Sequence, residues 1–137
     1  MALNYYKKEL KENAQHLASK GKGILAVDES TKTVGKRLAG IGVENTEENR
    51  KAYRGMLFTT EGLGKYISGA ILFEETLFQN HQDGETMVQK LNKLGIIPGI
   101  KVDKGLNPLP GGGDVETFCS GLDGLVERAA KYYEQGA

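Results

Sequence analysis

Gly23-Ile24-Leu25-Ala26-Val27-Asp28-Glu29-Ser30 and Gly99-Ile100-Lys101-Val102-Asp103-Lys104-Gly105 decide the fold. Each begins as an apolar strand and ends on ionisable groups. An unpaired buried charge costs several kcal/mol, about 3 or more when a partner is removed, so a chain rarely places one there for stability. In parallel α/β proteins the ends of strands are where sites are built. Strand side chains alternate faces. In the second stretch Gly99, Lys101 and Asp103 therefore share one face and Ile100 and Val102 the other. In the first, Ala26 and Asp28 oppose Leu25 and Val27. The bulky face calls for a cover of helices, and the charged face lines an interior or a pocket. The plain alternatives are a helix cap for Asp28 and an edge-strand ion pair for Lys101 with Asp103.

Working outward, helical spacing of Tyr6, Leu10, Ala14 and Leu17 predicts a helix over 4–19, with Lys and Glu on its other face. A strand follows over 23–28. A short helix capped by Ser30 or Thr31 runs to about Ile41 and is closed by Gly42. Asn45-Thr46-Glu47-Glu48 starts a further helix, with Asn45 as the cap and Glu48 returning the hydrogen bond, ending near Thr60. A second strand spans 66–73, a helix runs from Thr86 to Leu94 and stops at Gly95, and a third strand spans 96–103. A long loop then holds Pro108, Pro110 and Gly111-Gly112-Gly113 before a last helix over about 122–135. Strands alternating with helices imply a parallel sheet with crossover helices in one domain, residues 1–137.

The totals narrow the function. Lys plus Arg and Asp plus Glu both number 18, so no net field draws the chain to nucleic acid. Apolar runs of about eight residues fall short of the roughly 20 that a membrane helix needs. The first residues carry charge and no apolar core, unlike a secretory signal. One cysteine, Cys119, cannot close a disulfide within the chain, which suggests a reducing, cytoplasmic setting and an inert thiol. No His/Cys cluster has metal-ligand spacing.

Ser30-Thr31-Lys32-Thr33-Val34-Gly35-Lys36-Arg37 joins hydroxyls, a helix start and paired basic residues, which suits a phosphate. It is not a P-loop: Ser30 stands at the first glycine and Arg37 at the closing hydroxyl. Lys36 and Arg37 also fit a solvated helix face. Arg50 and Arg54, one turn apart, read as solvated, Glu74 and Glu75 as cap or surface residues, and His16 and His81 as surface residues.

Four separated segments, in order, carry a resemblance to a known family: Gly21–Ser30, Glu44–Arg50, Gly99–Gly105, and Gly121–Leu125 with Arg128. Together they resemble the class I, Schiff-base fructose-bisphosphate aldolases over residues 18–137. The resemblance implies the first three strand-helix units of an incomplete (β/α)8 barrel, commonly a homotetramer. It implies reversible cleavage of fructose 1,6-bisphosphate to dihydroxyacetone phosphate and glyceraldehyde 3-phosphate, with no metal or cofactor; the charge balance and short apolar runs add the expectation of no nucleic-acid or membrane partner. By motif, Asp28 matches a carboxylate that assists proton transfer and orients substrate, and Lys101 a cation near the substrate hydroxyls and the iminium. Ser30, Lys36 and Arg37 match positions around a phosphate, Thr33 stands where a serine is expected, and Arg50 lies near substrate. The Schiff-base lysine and the glutamate pair belong to later strands. A barrel of this kind takes about 250 residues, so the chain reads as an N-terminal fragment, inactive alone. Plastid forms bear a transit segment, none is visible, and the cytoplasm is the expectation. Two other readings compete: a small α/β domain binding a phosphorylated ligand without catalysis, and a pseudoenzyme or truncated interaction partner. Asp28 and Lys101 on a concave sheet face favour the aldolase; a flat sheet with helices on both faces favours the binding domain.

Overall fold

The computed structural model describes residues 5–137. Helix α1 covers Lys7–Leu17; residue 4, where the helix is expected to begin, lies outside the described residues. Strand β1 is Gly23–Val27, α2 Thr31–Ala39 and α3 Glu47–Phe58. A 3-10 turn at Leu63–Lys65 leads into β2, Ile67–Leu72. Helices α4, Glu74–Leu77, and α5, Met87–Lys93, precede β3, Ile97–Ile100. Short strands β4, Leu106–Pro108, and β5, Thr117–Cys119, precede α6, Leu125–Glu134.

Strands β1, β2 and β3 form one parallel sheet in that order. Their register aligns the rows Leu25–Ala70–Pro98, Ala26–Ile71–Gly99 and Val27–Leu72–Ile100. Alternation then assigns the two faces. Val27, Ala70 and Leu72 join the core with Phe58 of α3, Met87, Val88 and Leu91 of α5, and Tyr132 of α6, while Leu25 and Ile100 pack at its margin. Nothing of the Ala26–Ile71–Gly99 row belongs to that cluster. Ile24 on that side is 53% exposed. The helices therefore cover one face and leave the other largely bare, as the barrel expectation requires. A doubly wound sheet would carry helices on both.

Helix α1 is the exception on the bare side. A Cβ built on Gly69 would lie 2.4 Å from a Leu17 methyl, so the end of α1 closes over the N-terminal end of the sheet. Ser68 Oγ donates to the Leu17 carbonyl at 2.8 Å, and His16 Nε2 donates to the Gly95 carbonyl at 2.9 Å. The rest of the apolar stripe expected on α1 is not buried; Leu10 is 59% exposed.

Several boundaries differ from the sequence reading. The cap of α3 is Thr46, whose hydroxyl accepts the Asn49 amide; Asn45 instead turns its carboxamide oxygen to Arg50. The third strand ends at Ile100, and Lys101 and Asp103 follow it, paired with each other. The stretch read as a loop folds partly into the antiparallel β4–β5 hairpin, turned over by Gly111 at φ +75°. Thr86 and Gln89 form a reciprocal capping box on α5, and Gly95 at φ +68° ends that helix where expected. No helix among the described residues is long and apolar enough to cross a membrane.

Candidate active site at the strand ends

The row after Val27–Leu72–Ile100 is Asp28, Phe73 and Lys101. The ladder continues into it, since the Lys101 amide donates to the Leu72 carbonyl at 2.9 Å. By strand alternation Asp28 and Lys101 follow on the face opposite the core. Asp28 is half-buried in a sheet neighbourhood that the helices do not cover.

Lys101 Nζ pairs with Asp103 Oδ2, and Asp103 Oδ1 accepts the Gly105 amide at 3.0 Å. The Lys101 ammonium, aided by the Gly105 amide, holds the Asp103 carboxyl below its ordinary range against a smaller opposing effect of burial. The ion pair that was the plain alternative for these two residues therefore exists. Arg128 secures the segment that follows: its guanidinium donates to the carbonyls of Val102, Gly121 and Asp123 at 3.2, 2.6 and 2.7 Å. Glu74 accepts from Tyr132 at 3.0 Å and from Lys104 at 3.3 Å. These contacts keep its carboxyl acidic, the tyrosine bond most of all.

At the start of α2, Ser30 is the cap. Its hydroxyl accepts the Thr33 amide at 3.3 Å and lies 3.1 Å from the Thr33 hydroxyl. The two hydroxyls thus meet at the positive end of a helix. Lys36 is exposed further along. Arg37 is engaged elsewhere: it pairs with Glu29 at 3.1 Å. The structure brings Ser30 and Thr33 together and leaves Arg37 turned to the next carboxylate.

Arg50 and Arg54 depart furthest from expectation. Neither is solvated: Arg50 is 8% and Arg54 0% exposed. Arg50 forms a two-point bridge to Glu75, at 2.8 Å through Nε and 2.6 Å through Nη2, and donates to the Asn45 side chain at 2.9 Å. Glu75 is therefore a half-buried counter-ion. The Arg50 bridge lowers its pKa, opposed by burial, and the same bridge raises that of Arg50. Arg54 Nε donates to the Val27 carbonyl at 3.2 Å and Nη2 to the Glu29 carbonyl at 2.5 Å. Arg54 is the functional-looking residue that sequence reasoning missed. The available signal was a second arginine one turn along α3, on the same face as Arg50.

One surface concavity lies between α3 and the loop that joins α4 to α5, lined by Lys51, Gly55, Met56 and His81, and another lies by the start of β3, beside His16 and Ile97.

A family model described as Fructose-bisphosphate aldolase class-I matches residues 9–137. The chain is 61% identical over 132 residues to "Fructose-bisphosphate aldolase 3, chloroplastic" of Arabidopsis thaliana, covering 96% of this chain and 34% of that one. It is 64% identical over 130 residues to "Fructose-bisphosphate aldolase 1" of Toxoplasma gondii, covering 95% and 36%. The crystal structure of the Plasmodium falciparum aldolase, solved with TRAP and a small-molecule inhibitor, superposes with a TM-score of 0.91 at 58% identity, covering 95% of this chain and 37% of that one. The chain thus spans about a third of the relatives it matches, and its sheet is the corresponding part of their barrel.

One expectation is overturned. The Arabidopsis relative and several others are named chloroplastic, while the Toxoplasma relative is not, so the relatives do not support the cytoplasmic expectation. A lone cysteine speaks only to whether a disulfide can form, and that does not separate the two compartments. With the family model covering nearly the whole chain and the fold superposing along it, this chain belongs to the class I fructose-bisphosphate aldolase family.

Proposed function

We propose that these residues supply one wall of an aldolase site that cleaves fructose 1,6-bisphosphate to dihydroxyacetone phosphate and glyceraldehyde 3-phosphate. In that reaction a lysine amine condenses with the substrate ketone. The iminium then takes the electron pair of the breaking carbon–carbon bond, and the hydroxyl of the leaving fragment gives up its proton to become a carbonyl. The family assigns that lysine to a later strand. The part played here is positioning and proton handling: Asp28 takes part in the proton transfer and orients the sugar, and Lys101, held by Asp103, binds its hydroxyls. Ser30 and Thr33 offer hydroxyls to one phosphate, with Lys36 and Arg37 as its cations once Arg37 leaves Glu29. Arg50 acts from behind the site through Glu75. Assembly as a homotetramer is part of the same reading.

The observation that carries the proposal is the register. Strand alternation continued one row beyond the last ladder pair directs Asp28 and Lys101 toward the face that the helices leave bare, which supports the reading. The test is a hybrid protein in which residues 1–137 replace the matching segment of the Toxoplasma gondii aldolase. The hybrid is expected to cleave fructose 1,6-bisphosphate, and Asp28→Asn to lower kcat by about 100-fold or more, the usual weight of a positioned acid–base group. An inactive hybrid that is nonetheless folded, or an Asp28→Asn variant of unchanged kcat, overturns it.

A further inference from the structure

Arg54 has no exposed surface, and the chemistry proposed above does not use it. Its guanidinium donates to the carbonyls of Val27 and Glu29, the residues on either side of Asp28. In extended backbone, carbonyls two residues apart point the same way. The planar fork therefore spans the peptide segment that carries Asp28. The guanidinium carbon also lies 5.4 Å from the centre of the Phe73 ring, and Phe73 stands between Asp28 and Lys101 in the terminal row. Nη1 makes no hydrogen bond and is 3.7 Å from Glu75 Oε1.

This is a costly arrangement if stability were its only purpose. An apolar side chain of similar volume is often as good or better than a buried charge. Burial pulls the Arg54 pKa down, opposed by the carboxylates of Glu29 and Glu75. What an apolar residue cannot do is hold two carbonyls at once. Lysine cannot do so either, because its ammonium is a single point at the end of a flexible stem.

We propose that Arg54 is a positioning residue that fixes the direction of the Asp28 carboxylate by clamping the backbone on both sides of it. The proposal rests on the reading of Asp28 as the proton-handling carboxylate. A misplacement of about 1 Å in such a group lowers the rate roughly 100-fold.

The test compares Arg54→Lys and Arg54→Met with Asp28→Asn in the hybrid protein. Arg54→Lys is expected to lower kcat by about 30-fold or more with KM within about 3-fold. The pH profile of kcat is expected to be displaced, while the variant melts as a folded protein. Arg54→Met is expected to match it in kcat. Unchanged kcat and an unchanged pH profile in a folded Arg54→Lys overturn the proposal, and so does failure of both variants to fold, which assigns the arginine to stability alone. The function reading fails separately: an inactive unsubstituted hybrid, or a fully active Asp28→Asn, removes it and this proposal with it.

Discussion

At the scale of single residues, the charges that follow β3 restrain one another. Lys101 keeps the Asp103 carboxyl acidic. Lys101→Met therefore raises the Asp103 pKa toward its ordinary 3.8, read from the carboxyl carbon resonance against pH. An unmoved resonance denies the pair. Glu75 shows the sign of the effect on stability. Its folded pKa lies below the ordinary 4.5, so the Arg50 bridge stabilises above that value and fades as pH falls through the folded pKa. In thermal melts from pH 6 to pH 3, the hybrid protein is expected to lose more stability below about pH 4.5 than its Glu75→Gln variant. Parallel curves contradict this. At pH 7 the same substitution leaves Arg50 buried without its counter-ion and costs on the order of 3 kcal/mol.

At the scale of elements, the three parallel strands and every helix but the four-residue α4 are legible in the sequence, because caps and periodicity are local. Gly95 ends its helix and Ser30 caps its own as read. The error at Asn45 has a tertiary cause. Asn45 and Thr46 are both good caps, and the guanidinium of Arg50 claims the asparagine, leaving the hydroxyl to the helix. Thr46→Ala is accordingly expected to cost about 1 kcal/mol through α3, measured by denaturant midpoint. The 3-10 turn before β2 gives a sharper case. A Cβ on Gly64 would fall 2.1 Å from the Leu94 carbonyl oxygen, whereas one on Gly69 meets only a movable Leu17 methyl. Gly64→Ala is therefore expected to destabilise the fold by about 1–3 kcal/mol through overpacking and to lower the melting temperature more than Gly69→Ala does. Equal effects deny the close approach. The buried arginines were illegible for a different reason. Their partners, Glu75 and the carbonyls of Val27 and Glu29, lie about 25 residues away in sequence, and no periodicity reveals which charges a fold brings together.

At the scale of the whole molecule, three parallel strands leave two unpaired edges and a half-bare face. The apolar runs of β1 and β3, each followed directly by ionisable residues at Asp28 and at Lys101 and Asp103, make that end of the sheet legible in the amino-acid order itself. The same runs are silent on the walls that the site needs from elsewhere. The chain spans about a third of its relatives. The 137-residue chain alone is therefore expected to self-associate and to give no borohydride-trapped adduct on Lys101 with fructose 1,6-bisphosphate. An unperturbed lysine, with pKa about 10.4, offers little free amine near neutral pH. A monodisperse monomer, or a trapped adduct, counts against this. The most direct measurement of the central claim is a crystal structure of the hybrid protein with fructose 1,6-bisphosphate bound. The account predicts the Asp28 carboxylate and the Lys101 ammonium both within hydrogen-bonding distance of the same sugar. A sugar bound with either group turned to the helix-covered face would contradict it.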